Sequence, residues 1–190
     1  MRHTLLAFVL PVGLLAGAAW AADTDAEFVK HTANVGMLEV ELGRYASQHA
    51  ADPGVRAFGE RMVSDHGRAN AELAAIAKRQ GLAVPGAMDE KHSAELAKLT
   101  KLRGSEFDEA YMDEMVDGHE STVEAFQDQA TEGRTEVDRF AAKTLPTLKD
   151  HLTQARAIQE SLDKHAGAGF RGERDAHQRT GSAAAADDRP

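Results

Sequence analysis

The spacing of the apolar residues limits this chain more than any other feature: they recur every three or four positions along four long segments. That period is the mark of an amphipathic α-helix with one face turned to a core. Over about 25–50 the stripe runs Phe28, Thr32, Val35, Glu39, Leu42 and Ala46. Over about 53–80 it runs Phe58, Met62, His66, Ala69, Leu73 and Ile76, and it stops at Gly81. A third stripe, about 105–132, aligns Met112, Val116, His119, Val123, Phe126 and Ala130 before Gly133. The fourth, about 135–164, is the most regular: Val137, Ala141, Thr144, Leu148, His151, Ala155, Ile158 and Leu162. Strand signals are nearly absent, because aromatics are few, β-branched residues do not cluster and no Asn-Gly turn occurs.

The links between stripes set the topology. "ADPG" breaks the first from the second, with Asp52 placed as N-cap and Pro53 at the first helical position. The third and fourth stripes are joined as shortly, so each pair forms an antiparallel hairpin. Between the hairpins lies "LAVPGAMD" and then a short helix over about 89–102 bearing Leu96, Leu99 and Leu102. Its length of about 20 Å suffices to carry the chain back along the hairpins. The expected fold is therefore all-α, a ferritin-like four-helix bundle with one long crossover that contains a short helix. Pro146 falls inside the fourth stripe and is expected to kink or bulge it just before His151.

Each stripe carries one polar residue where a core residue belongs: Glu39, His66, His119 and His151. Counted from the hairpin turns, Glu39 and His66 lie about 13 and 14 residues away, His119 and His151 about 15 and 17. At a rise of 1.5 Å per residue each pair agrees in height to within about 3 Å. If the crossover returns the chain to the end where the second stripe began, all four meet at mid-bundle. A buried imidazole without a partner costs roughly 1–3 kcal/mol and a buried carboxylate more. The bland solution is a polar network, with Glu39, Thr32, Thr144 and internal water serving the imidazoles. The sharper one is a transition-metal ion such as Zn, Cu or Fe, for which imidazole and carboxylate are suitable ligands. Asp65 and Asp150 precede their histidines and Glu120 follows His119, but neighbours on a helix point about 100° apart. These acids are expected in surface ion pairs, with partnership to a histidine of a neighbouring helix as the alternative. The residues three before the histidines are Val63, Val116 and Leu148, so the Glu-x-x-His pattern of di-iron bundles is missing. Met62 and Met115, one turn before His66 and His119, read as core filler.

The ends read differently. "MRHTLLAFVLPVGLLAGAAWA" has one basic residue, a short apolar run and small residues at Ala19 and Ala21. This is the pattern of a secretory signal peptide, residues 1–21. No later segment is apolar for the ~18 residues of a membrane span. Absence of cysteine excludes disulfides and a lipidated cysteine, and it suits a bacterial periplasm. Residues 22–165 form the bundle domain, and 166–190, rich in Gly, Ala and mixed charge, read as a disordered tail. Acids outnumber bases by 31 to 22, for a formal net charge of −9, which argues against nucleic acid as a partner. No nucleophilic triad, phosphate loop or paired-carboxylate motif stands out, so an enzyme is the less favoured reading.

Met62–His66 (Met-Val-x-Asp-His), Gly104–Tyr111 (Gly-x-x-Phe-Asp-x-x-Tyr) and Leu145–His151 (Leu-Pro-x-Leu-x-x-His) together resemble the exported bacterial proteins of domain-of-unknown-function family 4142. The resemblance covers about residues 25–163. It implies a ferritin-like bundle and brings no established activity. Its usual outer-membrane label conflicts with a chain that has neither barrel-type strands nor a lipidation cysteine. Three functions follow as expectations. The first is a periplasmic bundle with a buried Glu/His centre that binds a transition metal, in a binding or stress-protection role. The second is a redox metalloenzyme using the same residues. The third is a metal-free structural or interaction module docking a cell-envelope partner.

Overall fold

The computed structural model describes the backbone of residues 15–131 and 133–184 and the side chains of residues 24–131 and 133–165. Most of the expected signal peptide, and the side chains of the expected tail, lie outside the described residues. Five helices follow one another: α1 (Leu15–His49), α2 (Pro53–Gln80), α3 (Glu90–Leu99), α4 (Gly104–Ala130) and α5 (Glu136–Ala184). The fold is all-α, with no strand among the described residues.

The helix boundaries have local causes. Asp52 sits in extended backbone and its Oδ1 accepts from the Gly54 and Val55 amides, which would otherwise be orphaned at the start of α2. Gly81 ends α2 at φ 70°, a left-handed conformation that a side chain disfavours. Asp89 caps α3 by accepting from the His92 amide. α5 passes through Pro146 without a break in its helical run.

α1 packs along α2 and α4 along α5, and the two pairs meet mainly through α2–α5 and α1–α4. The α1–α2 crossing is close. A Cβ built on Gly43 would stand 2.7 Å from the Gly59 carbonyl oxygen, and one on Gly59 would stand 2.7 Å from that of Gly43. Only glycine permits this approach of two backbones. The α1–α2 turn is held from outside its own hairpin. Asp108 of α4, 1 % exposed, accepts from the Ala51 and Asp52 amides at 3.0 and 2.6 Å. Asn34 of α1 ties down the crossover by accepting from the Asp89 amide at 2.8 Å.

The stripes read from the sequence all face inward, and they build two apolar clusters instead of one. The first gathers Leu38, Leu42, Val55, Phe58, Met62, Phe107, Tyr111, Met112, Met115 and Ala155. The second gathers Phe28, Val29, Leu73, Ile76, Phe126, Val137, Phe140 and Leu148. Leu82, at the end of α2, packs on the second cluster, and Leu99, at the end of α3, belongs to the first. α3 therefore returns the chain, and α4 begins at the end where α2 begins. Between the clusters lies a buried polar layer: Glu39, His66, His119 and His151 are 4 %, 7 %, 1 % and 1 % exposed.

Candidate metal centre

The layer brings one imidazole from each of α2, α4 and α5 together. One ligand nitrogen from each of His66, His119 and His151 lies within 4.8 Å of the other two. The ring centroids stand 5.3–5.5 Å apart, and Phe58 closes the side toward the first cluster, 6.5 Å from His119 and 6.4 Å from His151.

Hydrogen-bond partners assign the protons on two of the rings. His119 Nδ1 lies 2.8 Å from the Met115 carbonyl oxygen, which can only accept, so Nδ1 carries the proton. His151 Nε2 lies 2.9 Å from Asp65 Oδ2, so Nε2 donates to that carboxylate. Asp65 is held ionised. Burial pushes its carboxyl up, but hydrogen bonds from His151 and Arg61 outweigh this and lower it. The inner nitrogens, His119 Nε2 and His151 Nδ1, are 3.3 Å apart. In neutral rings both present lone pairs. His66 Nε2 is buried without a partner.

The environment favours neutral imidazoles. Burial, reinforced by the positive charges that His119 and His151 would carry, lowers His66 to about 3. Burial and then His151 lower His119 to about 4, against a smaller rise from the Met115 bond. His151 is also lowered, chiefly by burial, with Asp65 opposing. His119 Nε2 and His151 Nδ1 therefore face each other as lone-pair donors, and the three neutral imidazoles form a group whose nitrogens could hold a cation.

Glu39 occupies a different place in the layer. Its Oε1 is 3.8 Å from His119 Nδ1, the nitrogen turned away from His151, and it does not join the three-imidazole group. Its Oε2 is buried without a partner. Burial, and the nearby charge of Glu114, push its carboxyl up to about 8. On the other flank, His66 lines a small cavity of about 20 Å³ with Thr32, Thr122, Thr144 and Phe126. Thr32 Oγ1 is also buried without a partner. One water fits in such a volume and would serve both orphaned atoms.

The structure gives Asp65 both of its expected roles at once. The half-buried carboxylate pairs with Arg61 at 3.2 Å and with Arg68, while Oδ2 also receives His151. An acid one residue off the core face reaches the rim, and the next helix supplies the imidazole there. The pairing with an acid across helices was the signal available. Asp150 and Glu120 do lie in surface pairs, with Arg61 at 2.6 Å and Arg156 at 2.5 Å. The Tyr45 hydroxyl reaches the edge and donates to the Leu102 carbonyl at 3.2 Å. That of Tyr111 does not: it is buried without a partner.

The three sequence signatures acquire physical content here. Asp65 and His66 of the first serve the centre, as does His151 of the third. In the second, Gly104 adopts φ 60°, Phe107 stacks on Tyr111 at 5.5 Å and Asp108 secures the α1–α2 turn.

Among solved structures the chain is similar to a DUF305 fragment from Deinococcus radiodurans, at 17 % identity and TM-score 0.62. That match covers 74 % of this chain and 96 % of the other. It is also similar to a DUF305 protein from Streptomyces coelicolor whose description calls it secreted, at 15 % identity and TM-score 0.63, covering 75 % and 96 %. At these identities the likeness concerns the fold alone. Among curated proteins none matches. No helix among the described residues is long and apolar enough to cross a membrane. The sequence matches the domain of unknown function DUF4142 over residues 12–158, and the chain belongs to that family.

Proposed function

We propose that this is an exported, periplasmic protein with a ferritin-like bundle and one long crossover, and that it holds a single transition-metal ion on His66, His119 and His151. The observation that carries the reading is the facing pair, His119 Nε2 and His151 Nδ1, 3.3 Å apart with both outer nitrogens committed as donors. Two nitrogens on one tetrahedral zinc ion stand about 3.3 Å apart, given Zn–N distances near 2.0–2.1 Å. Asp65 and the Met115 carbonyl act as the outer partners that orient two of the rings and make them better ligands. Three imidazoles without thiolate suit Zn, Cu or Fe. The missing Glu-x-x-His pattern argues against di-iron chemistry, so the role is binding or stress protection more than turnover.

A second reading has its own support. With Asp65 as counter-ion, His151 could carry two protons and donate through Nδ1 to His119, leaving a metal-free polar network in a structural module. Elemental analysis of the purified protein separates the two, with a His66→Ala/His151→Ala variant as control. The metal reading expects close to one equivalent of metal in the parent and none in the variant. Metal-free protein whose melting temperature ignores added Zn, Cu and Fe would end it.

A further inference from the structure

On the opposite side of the His119 ring from the imidazole cluster, a cleft of about 300 Å³ opens between α1, α3 and α4. Its walls include Glu39, Glu95, Glu114 and Asp117, with Lys91 and His92 also contributing. Glu95 is engaged by Lys98 at 3.1 Å. Glu39 is the unusual member. It is 4 % exposed, it lines the cleft, and its Oε2 is buried with no hydrogen-bond partner. Nothing in core packing calls for such a carboxyl, and burying it unsatisfied is costly. Beside it the helix has no side chain. A Cβ on Gly118 would stand 3.8 Å from Glu39 Oε1 and 4.0 Å from Glu114 Oε1. The glycine leaves open the space that these two carboxylates flank.

We infer that this cleft is a second cation site, in which Glu39 and Glu114 hold a hard divalent cation such as Mn²⁺ that keeps part of its water shell. Small divalent cations are commonly bound by one or two carboxylates with water completing the shell, so two acids in an open cleft suffice. The cleft's oxygen donors favour the harder ions and the imidazole cluster the softer ones, so the two sites differ in selectivity. The inference does not depend on metal at the imidazoles.

The test is titration of the metal-stripped protein with Mn²⁺, with free Mn²⁺ read by electron paramagnetic resonance. One site is expected. Glu39→Gln/Glu114→Gln should weaken it at least tenfold, while Glu109→Gln/Glu124→Gln, the same pair of substitutions at exposed positions, should leave it within twofold. His151→Ala should also leave it within twofold. Gly118→Ala adds only an ordinary van der Waals contact and should preserve the fold, yet weaken Mn²⁺ at least threefold. No saturable Mn²⁺ binding, or binding indifferent to the Glu39/Glu114 change, overturns the inference. Binding lost in His151→Ala but kept in Glu39→Gln/Glu114→Gln would place the ion on the imidazoles, overturning this site and leaving the central one standing.

Discussion

At the scale of single residues, the chemistry rests on which nitrogen of each ring is already spoken for. The stripes told which side chains point inward, and for Glu39, His66, His119 and His151 that was enough to name a layer. They could not tell that Glu39 would stand behind His119, because a helical period fixes direction and not the reach of a side chain. Nor could they decide between the two roles open to Asp65, which depend on where α5 passes α2. Removing the acid in Asp65→Ala leaves the His151 Nε2 donor unpaired. The expected cost is about 1–3 kcal/mol of stability in denaturant unfolding. Metal affinity should fall about 10–100-fold by equilibrium titration. The depressed histidines also set a pH dependence for the metal-stripped protein. His66 and His119 bind protons near 6.5 when unfolded but only near 3 and 4 when folded, so each costs stability as pH falls below 6.5. Glu39 is opposite in sign: it gives up its proton near 4.5 unfolded and near 8 folded, so it costs stability as pH rises from 4.5 toward 8. Between pH 4.5 and 6.5 the lowered histidines, His151 among them, outweigh Glu39, and stability should rise with pH by on the order of 1 kcal/mol per unit. Above 6.5 the histidines no longer contribute, the raised carboxyl of Glu39 dominates and the slope should reverse. Urea unfolding across pH 4.5–8 would show a maximum near 6.5; a flat profile would mean that these groups are not buried as described.

At the scale of elements, the helices were legible because local signals and tertiary packing agree. Asp52-Pro53, Gly81 and Asp89 mark boundaries by chemistry that operates within a few residues. What the sequence could not supply were the contacts between elements, such as Asp108 closing a turn 56 residues away in the chain. The glycines of α2 show the distinction. Gly67 has nothing within 4 Å of a built Cβ, so Gly67→Ala should stabilise by about 1 kcal/mol through helix propensity alone. Gly59→Ala gains the same propensity but drives a methyl into the Gly43 carbonyl and the Ala46 methyl, 2.7 and 2.8 Å away. Overpacking of this kind costs about 1–3 kcal/mol, so the net change should be destabilising. Thermal melts of the two variants should move in opposite directions, although both are Gly→Ala in one helix.

At the scale of the whole molecule, a polar layer divides what the stripes suggested would be one core into two clusters. A layer of neutral imidazoles is a standing cost to the metal-free fold, and under the proposed function an ion that binds only the folded state would offset it. At a free-metal concentration about 100-fold above the dissociation constant, the gain is about 2.7 kcal/mol. For a domain of this size that raises the melting temperature by roughly 5–10 °C. Differential scanning calorimetry with and without Zn²⁺ should show the shift in the parent and lose it in His119→Ala. The central claim is narrower than any stability change: two buried rings face each other through lone pairs. Long-range ¹H–¹⁵N correlation NMR on histidine-labelled, metal-stripped protein at pH 7 reads the proton on each ring nitrogen. His119 should be protonated at Nδ1 alone and His151 at Nε2 alone, and one equivalent of Zn²⁺ should shift the two bare nitrogens together. A cationic His151 with protons on both nitrogens, unmoved by Zn²⁺, would contradict the account.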